Sequence, residues 1–261
     1  MSVAKARRAW TILIEQGPAG LAAALLRQIA SGGLQWKRSP VPRAWDEYLD
    51  WLTVVNAGML TRGNVDCFAH ALRHLPSAAP MVEIGSFCGL SANVIMHLRS
   101  LHGITNRFVT CDKWVFEDAK AGTIDPSSEI THAQYRDYVK ESFLRNTRMF
   151  SQGGLPETLE LLSDEFFDKW SRSERVMDVF GRECSLGGPI SFAYIDGDHR
   201  YEAALRDFEN CDRYLDRGGF VLLDDSADGS GWGSARVVTE VKRSGRYELI
   251  THNPNYFFRK R

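Results

Sequence analysis

The 261-residue sequence contains no uninterrupted apolar run long enough to cross a bilayer. Its basic start, MSVAKARRAW, is followed by no apolar signal core and no small-residue cleavage site. Both absences point to a cytoplasmic protein without a membrane span. An excess of one charge is missing too, since 32 Lys and Arg face 33 Asp and Glu. A nucleic-acid partner recognised through bulk charge is thereby excluded, which leaves only a local basic patch. Cysteine is sparse. Cys67, Cys88, Cys111, Cys184 and Cys211 show no CxxC spacing, which argues against a zinc site. Cys88, Cys111 and Cys211 fall in apolar stretches and read as small core residues in a reducing compartment. There is no internal repeat and no GxGxxG dinucleotide fingerprint. With 44% hydrophobic and 25% charged residues, the composition is that of a globular fold and excludes disorder over most of the chain.

Residues 1–60 read as a helical extension and residues 61–261 as the main domain. A helix is expected over 19–30, between Gly17-Pro18 and Gly32-Gly33, with a proline-bearing linker over 37–42. Further helices are expected over 45–55 and 64–74. After Pro80 short apolar runs alternate with amphipathic helices, the pattern of a parallel sheet with crossover helices. Strands are expected over 81–84, 107–111, 158–162, 191–195 and 220–223, with helices over 90–101, 131–150, 201–215 and 234–243. The helix over 201–215 puts Ala204, Leu205, Phe208 and Cys211 on one face. Two last strands, 247–251 and 256–259, close as a hairpin around His252-Asn253-Pro254-Asn255. The fold class is therefore α/β: a doubly wound, mostly parallel seven-stranded sheet, Rossmann-like, with an N-terminal helical extension. The long connections 113–157 and 164–189 are expected to be lids over a site.

The run MVEIGSFCGLSA places Glu83 at a strand end, then Gly85, Ser86, Gly89 and Ser91 at the entry to a helix. Glycine lets the backbone approach a ligand closely, and a helix N-terminus offers free N–H groups. Asp112 ends the next strand, where a carboxylate accepts hydrogen bonds from both hydroxyls of a ribose. Ser163 and Asp164, after the third strand, are placed to read an adenine edge or to cap the next helix. The glycine spacing is wrong for a dinucleotide. Glu83 suits instead a cofactor with a cationic end, and S-adenosylmethionine is the expected cofactor.

FAYIDGDHRYE puts Asp196, Asp198 and His199 just after the fourth strand, and GGFVLLDDS puts Asp224 and Asp225 just after the fifth. Adjacent parallel strands bring both tips to the carboxyl end of the sheet, where such folds bind ligands. Gathered carboxylates repel one another unless a cation or a proton intervenes. Asp196, Asp224 and Asp225 offer the hard oxygens that Mg²⁺ prefers, and Asp196 also borders the cofactor. A base beside them removes the proton of an acceptor hydroxyl. His199 and Asp198 are the candidates, and imidazole as a side chain titrates in the useful range. The stretch 227–233 is expected over the mouth of the site, with Trp232 as a wall for the acceptor.

At GMLTRGNVDCFAHALRHLP, VEIGSFCGLS, IDGDHRYE and the Gly-Gly…Asp-Asp pair the sequence resembles the macrocin O-methyltransferase-like group of class I methyltransferases, from about Gly58 to Arg261. The resemblance implies a Mg²⁺ held at Asp196, Asp224 and Asp225 and a base at His199 or Asp198. It also implies methylation of a hydroxyl on a sugar or other natural-product scaffold, in a homo-oligomer. Ser163-Asp164-Glu165 departs from the Gly-Asp-Ser-like turn the family suggests. The competing readings are a methyltransferase without metal, an NAD-dependent oxidoreductase and a catalytically silent partner subunit.

Overall fold

A computed structural model describes residues 41, 43–115, 122–125 and 127–261. The helix expected over 19–30 and nearly all of the linker expected over 37–42 lie outside the described residues. The unit from Val41 to Arg261 is compact. Two helices lead into the sheet, α1 (Glu47–Val55) and α2 (Arg62–Arg73). Then follow β1 (Met81–Ile84), α3 (Leu90–Leu101), β2 (Phe108–Cys111), α4 (His132–Phe150) and β3 (Glu157–Leu159). After β3 come α5 (Ser163–Ser171), a small hairpin of β4 (Arg175–Met177) and β5 (Glu183–Ser185), and β6 (Ile190–Ile195). The chain ends with α6 (Tyr201–Tyr214), β7 (Leu215–Leu223), α7 (Gly233–Arg243), β8 (Tyr247–His252) and β9 (Tyr256–Lys260). Among the described residues no helix is long and apolar enough to cross a membrane.

Seven strands form one sheet in the order β3-β2-β1-β6-β7-β9-β8, with β9 antiparallel to both neighbours. This is the doubly wound class expected. The strands β1, β2, β6 and β7 are apolar because helices cover both faces. Period-2 alternation sorts them: Met81, Phe192, Tyr194, Phe220, Leu222 and Phe257 pack under α1, α2, α3 and α4. Val82, Ala193, Ile195, Val221, Leu223 and Phe258 pack under α5, α6 and α7. The expected face of α6 is observed, with Ala204, Phe208 and Cys211 buried and Leu205 packed against them.

Three expectations are corrected. β3 is shorter than expected, because Leu161 N–H turns back to the Leu159 carbonyl and leaves the sheet. β7 starts earlier, because Leu215 already pairs with Ile190 across a bulge. The connection 164–189 is no lid over the carboxyl end. Its hairpin is held at the amino end of the sheet, where Arg107, just before β2, reaches the Ser185 carbonyl and Arg182 reaches those of Leu155 and Pro156. Its strands are three residues long and largely exposed, so they carry no apolar run for a sequence reading to find.

Candidate active site

The strand tips are aligned by the ladder itself. Asp112 donates its N–H to the Leu159 carbonyl at 3.1 Å, Gly85 to Cys111 at 2.9 Å, Asp196 to Ile84 at 2.8 Å and Asp224 to Ile195 at 2.9 Å. Each of these residues is thus the rung beyond the last paired residue, and the four expected site residues stand in one row.

Gly85 has φ 85°, and a Cβ there would lie 2.0 Å from the Asp196 carbonyl oxygen, so only glycine lets the loop lie on the β6 tip. Gly89 (φ 86°) caps α3. Phe87, Trp114 and Asp225, all at these tips, also have positive φ without being glycine. Such strain costs about 1–2 kcal/mol per residue and concentrates at sites. Asp112 clamps the loop: Oδ2 accepts from Ser86 N at 2.7 Å and Phe87 N at 2.9 Å, and Oδ1 from Trp114 N at 2.6 Å. Burial raises this carboxyl above its ordinary value against the pull of those bonds. With Oδ2 filled by two donors, Oδ1 keeps one lone pair open.

Glu83 is fully buried. Burial pushes its carboxyl up to about 8, although Ser91 and Ser86 pull it down. Oε2 accepts from Ser86 Oγ at 3.2 Å, while Oε1 is buried without a hydrogen-bond partner. A shallow, solvent-open cleft is lined by residues of the 58–60 segment together with Leu90, Phe87, Asp196 and the two serines beside Glu83, Ser86 and Ser91.

Beside the cleft the Asp196 and Asp224 carboxyls meet. Burial, then the Asp224 charge, drives Asp196 well above the carboxylate range. Tyr194 donates its hydroxyl to Asp196 Oδ2 at 3.1 Å. Asp224 Oδ1 accepts from Asn64 Nδ2 at 2.7 Å and also from Asn255 Nδ2. Asp225 turns the other way: its Oδ2 lies 3.4 Å from His199 Nδ1. Burial and the Asp224 charge raise Asp225, and His199 opposes them. The His199 ring packs on Trp232, centroids 5.0 Å apart, and the exposed indole forms a wall beside it. Asp198 is differently occupied. Its carboxylate accepts from the Arg200 backbone N–H at 2.9 Å and from the Arg200 guanidinium on both oxygens. A base already so hydrogen-bonded is a poor proton acceptor.

Two groups of expected residues are not brought in as anticipated. Ser163 lies within hydrogen-bond range of Asp207, and Asp164 faces Arg206 and Asn210 of α6. Their side chains serve α6, and that tip presents the backbone and the half-exposed Leu162 instead. Among the described residues no three His, Cys, Asp or Glu side chains converge as a metal-holding group, since Asp225 is turned to His199. Sequence reasoning missed Asn64, Tyr194 and Asn255. Asn64 lay inside a motif quoted for its resemblance, yet nothing in its neighbours marks it as touching Asp224.

Residues 82–226, more than half of the chain, match the family described as methyltransferase domain. Solved structures share the fold. The O-methyltransferase NovP superposes with TM-score 0.52 at 16% identity, covering 78% of this chain and 81% of NovP. The SAH-bound methyltransferase PaMTH1 of Podospora anserina gives 0.53 at 12% identity, covering 90% and 95%. CalS11, a TDP-rhamnose 3'-O-methyltransferase of calicheamicin biosynthesis, gives 0.50 at 16% identity, covering 93% and 94%. An uncharacterised protein, R132, of Acanthamoeba polyphaga mimivirus is 30% identical over 60 residues, which span 23% of this chain and 26% of that protein.

Proposed function

Since the chain belongs to the methyltransferase domain family, we propose that it transfers the methyl group of S-adenosylmethionine to a hydroxyl of a small molecule, of the sugar or natural-product type on which neighbours such as CalS11 act. The observation that carries this reading is the place of His199: it packs on Trp232 and faces Asp225, the residue after Asp224, whose carboxyl meets the Asp196 that lines the cleft of the glycine loop.

The cofactor would lie along the row of tips. The unpartnered Glu83 Oε1 offers a carboxylate to its cationic amino-acid end, through or beside Ser86 and Ser91. The remaining Oδ1 lone pair of Asp112 takes one ribose hydroxyl. The backbone beyond β3 and Leu162 face the adenine. Bound there, the cofactor supplies an electrophilic methyl on a sulfonium.

An alcohol does not ionise at neutral pH. As its oxygen forms the bond to the methyl carbon, the carbon–sulfur bond breaks toward sulfur and the hydroxyl proton must leave. His199 Nε2 accepts that proton, and Asp225 at Nδ1 holds the ring and stabilises the imidazolium, a division of roles worth about 10²–10⁴-fold in rate. Asp198, held by Arg200, is the weaker candidate.

A divalent cation fits this donor set in kind. Asp196 and Asp224 are adjacent hard-oxygen donors whose mutual repulsion a cation relieves, and Mg²⁺ is ordinarily held by one or two carboxylates with water or substrate. Asp225, kept at His199, stays outside the set, and water or acceptor oxygens would complete it. A bound cation would lower the pKa of a coordinated acceptor hydroxyl. Incubation with S-adenosylmethionine and a panel of glycosylated and hydroxylated acceptors, followed by mass spectrometry, tests the reading. Gain of one methyl on oxygen, lost in His199→Ala, supports it. Methylation on nitrogen or carbon, or full activity in His199→Ala, refutes it.

A further inference from the structure

The amide orientations of Asn64 and Asn255 follow from their neighbours. A backbone N–H can only donate, and Ser226 N–H lies 3.1 Å from Asn255 Oδ1. Asn255 Nδ2 must therefore face the other way, where its two hydrogens meet Asn64 Oδ1 at 3.1 Å and Asp224 Oδ1. Asn64 Oδ1 also accepts from Thr61 Oγ1, at 3.0 Å. That leaves Asn64 Nδ2 for Asp224 Oδ1 at 2.7 Å and the Tyr194 hydroxyl at 3.4 Å. Each amide thus has one orientation consistent with its partners. All three side chains are buried, Asn64 at 1%, Asn255 at 3% and Asp224 at 7% exposure, so water does not compete.

Two N–H donors on one carboxylate oxygen fill its lone pairs. Asp224 is then left with Oδ2 alone. We propose that Asn64 and Asn255 are positioning residues: an amide clamp, one jaw on α2 and one on the β8–β9 turn, that fixes the Asp224 carboxylate so that it ligates a cation through Oδ2 only. The proposal rests on the metal reading given above. The clamp also makes α2 and the hairpin part of the site. Gly63, beside Asn64, allows this close approach, since a Cβ there would lie 1.4 Å from the Asn253 carbonyl oxygen.

Mn²⁺ serves as the probe. Its affinity is measured by electron paramagnetic resonance and calorimetry on the full chain, in wild type, Asn64→Ala, Asn255→Ala and Tyr256→Phe. The last variant loses a hydrogen bond from the same hairpin to Asp228 without touching the clamp. Loss of a partner that orients a metal ligand typically weakens metal binding about 10–100-fold. The expected result is a weakening of that size in each Asn variant, S-adenosylhomocysteine affinity within about twofold of wild type, and Tyr256→Phe at wild-type Mn²⁺ affinity. Equal Mn²⁺ affinity in wild type and a folded Asn variant would overturn the clamp alone. So would an equal loss in Tyr256→Phe. Absence of Mn²⁺ binding by the wild type would overturn the metal reading and the clamp with it. Should neither Asn variant fold, a Mn²⁺-soaked wild-type crystal decides. Asp224 bound through Oδ2, with both amide bonds kept, supports the clamp, and bidentate Asp224 overturns it.

Discussion

At the scale of single residues, the two candidate bases differ by their partners. Asp198 is bound by Arg200 on both oxygens, while His199 faces Asp225 and packs on Trp232. His199→Ala is expected to lower single-turnover methyl transfer by about 10²–10⁴-fold with S-adenosylhomocysteine affinity retained. Asp198→Ala is expected to lower it far less, and the reverse ranking in well-folded variants would move the base to Asp198. Asp112 is expected to carry two duties. Asp112→Ala frees three backbone N–H groups of the loop, and in the proposed site it would also remove a charge-assisted bond to the ribose, worth about 1.5–3 kcal/mol. Calorimetry should show a loss of cofactor affinity of at least about tenfold, and thermal unfolding should show a lower midpoint. Unchanged affinity would take Asp112 out of the site. The positions of Asp112, Asp196 and Asp224 were legible in sequence because a strand tip is marked by the apolar run before it, and Glu83 was legible as a lone charge inside such a run. Asn64 was not, since it meets Asp224 from 160 positions away. Nor was the Asp198–Arg200 pair, since adjacent charges in sequence do not say which way their side chains turn.

Between elements, the site depends on close backbone contacts that only glycine permits. Gly63 brings α2 against the β8–β9 turn, and Gly233 brings α7 against the start of α6, where a Cβ would lie 2.1 Å from Tyr201 N. Both contacts are with backbone, which cannot swing aside. Gly63→Ala is therefore expected to destabilise the fold by several kcal/mol, in the range of strongly disruptive substitutions of about 4–5. Chemical denaturation would show it as a lower midpoint at unchanged slope. A change below about 1 kcal/mol would mean that the hairpin and α2 separate freely. The parallel strands and crossover helices were legible through their periodicity. The hairpin of β4 and β5 was not, because hydrogen bonding by backbone and arginine, rather than an apolar pattern, holds it.

For the whole molecule, buried carboxyls set the response to pH. Glu83 is pushed up to about 8 from 4.5 and Asp207 up to about 7 from 3.8, both first by burial. A carboxyl whose folded value exceeds its unfolded one takes up a proton on folding. Stability is then greatest near the ordinary carboxylate values and falls as pH rises through about 7 for Asp207 and about 8 for Glu83. Unfolding free energy is expected to drop by a few kcal/mol between about pH 5 and pH 8, and Asp207→Asn should flatten the lower part of that fall. A stability that rises over this interval in the wild type would contradict the assignment. In the proposed site Glu83 is expected to link the same titration to the cofactor, because a cationic group beside Oε1 would favour the ionised form. Binding should release a proton near neutral pH, seen as a buffer-dependent enthalpy.

That titration separates the cofactor classes a doubly wound sheet accepts. The purified 261-residue chain is titrated calorimetrically with S-adenosylhomocysteine and, separately, with NAD. Stoichiometric binding of S-adenosylhomocysteine with proton release, and no heat with NAD, is the predicted result. Binding of NAD without S-adenosylhomocysteine would contradict the methyltransferase assignment of this site.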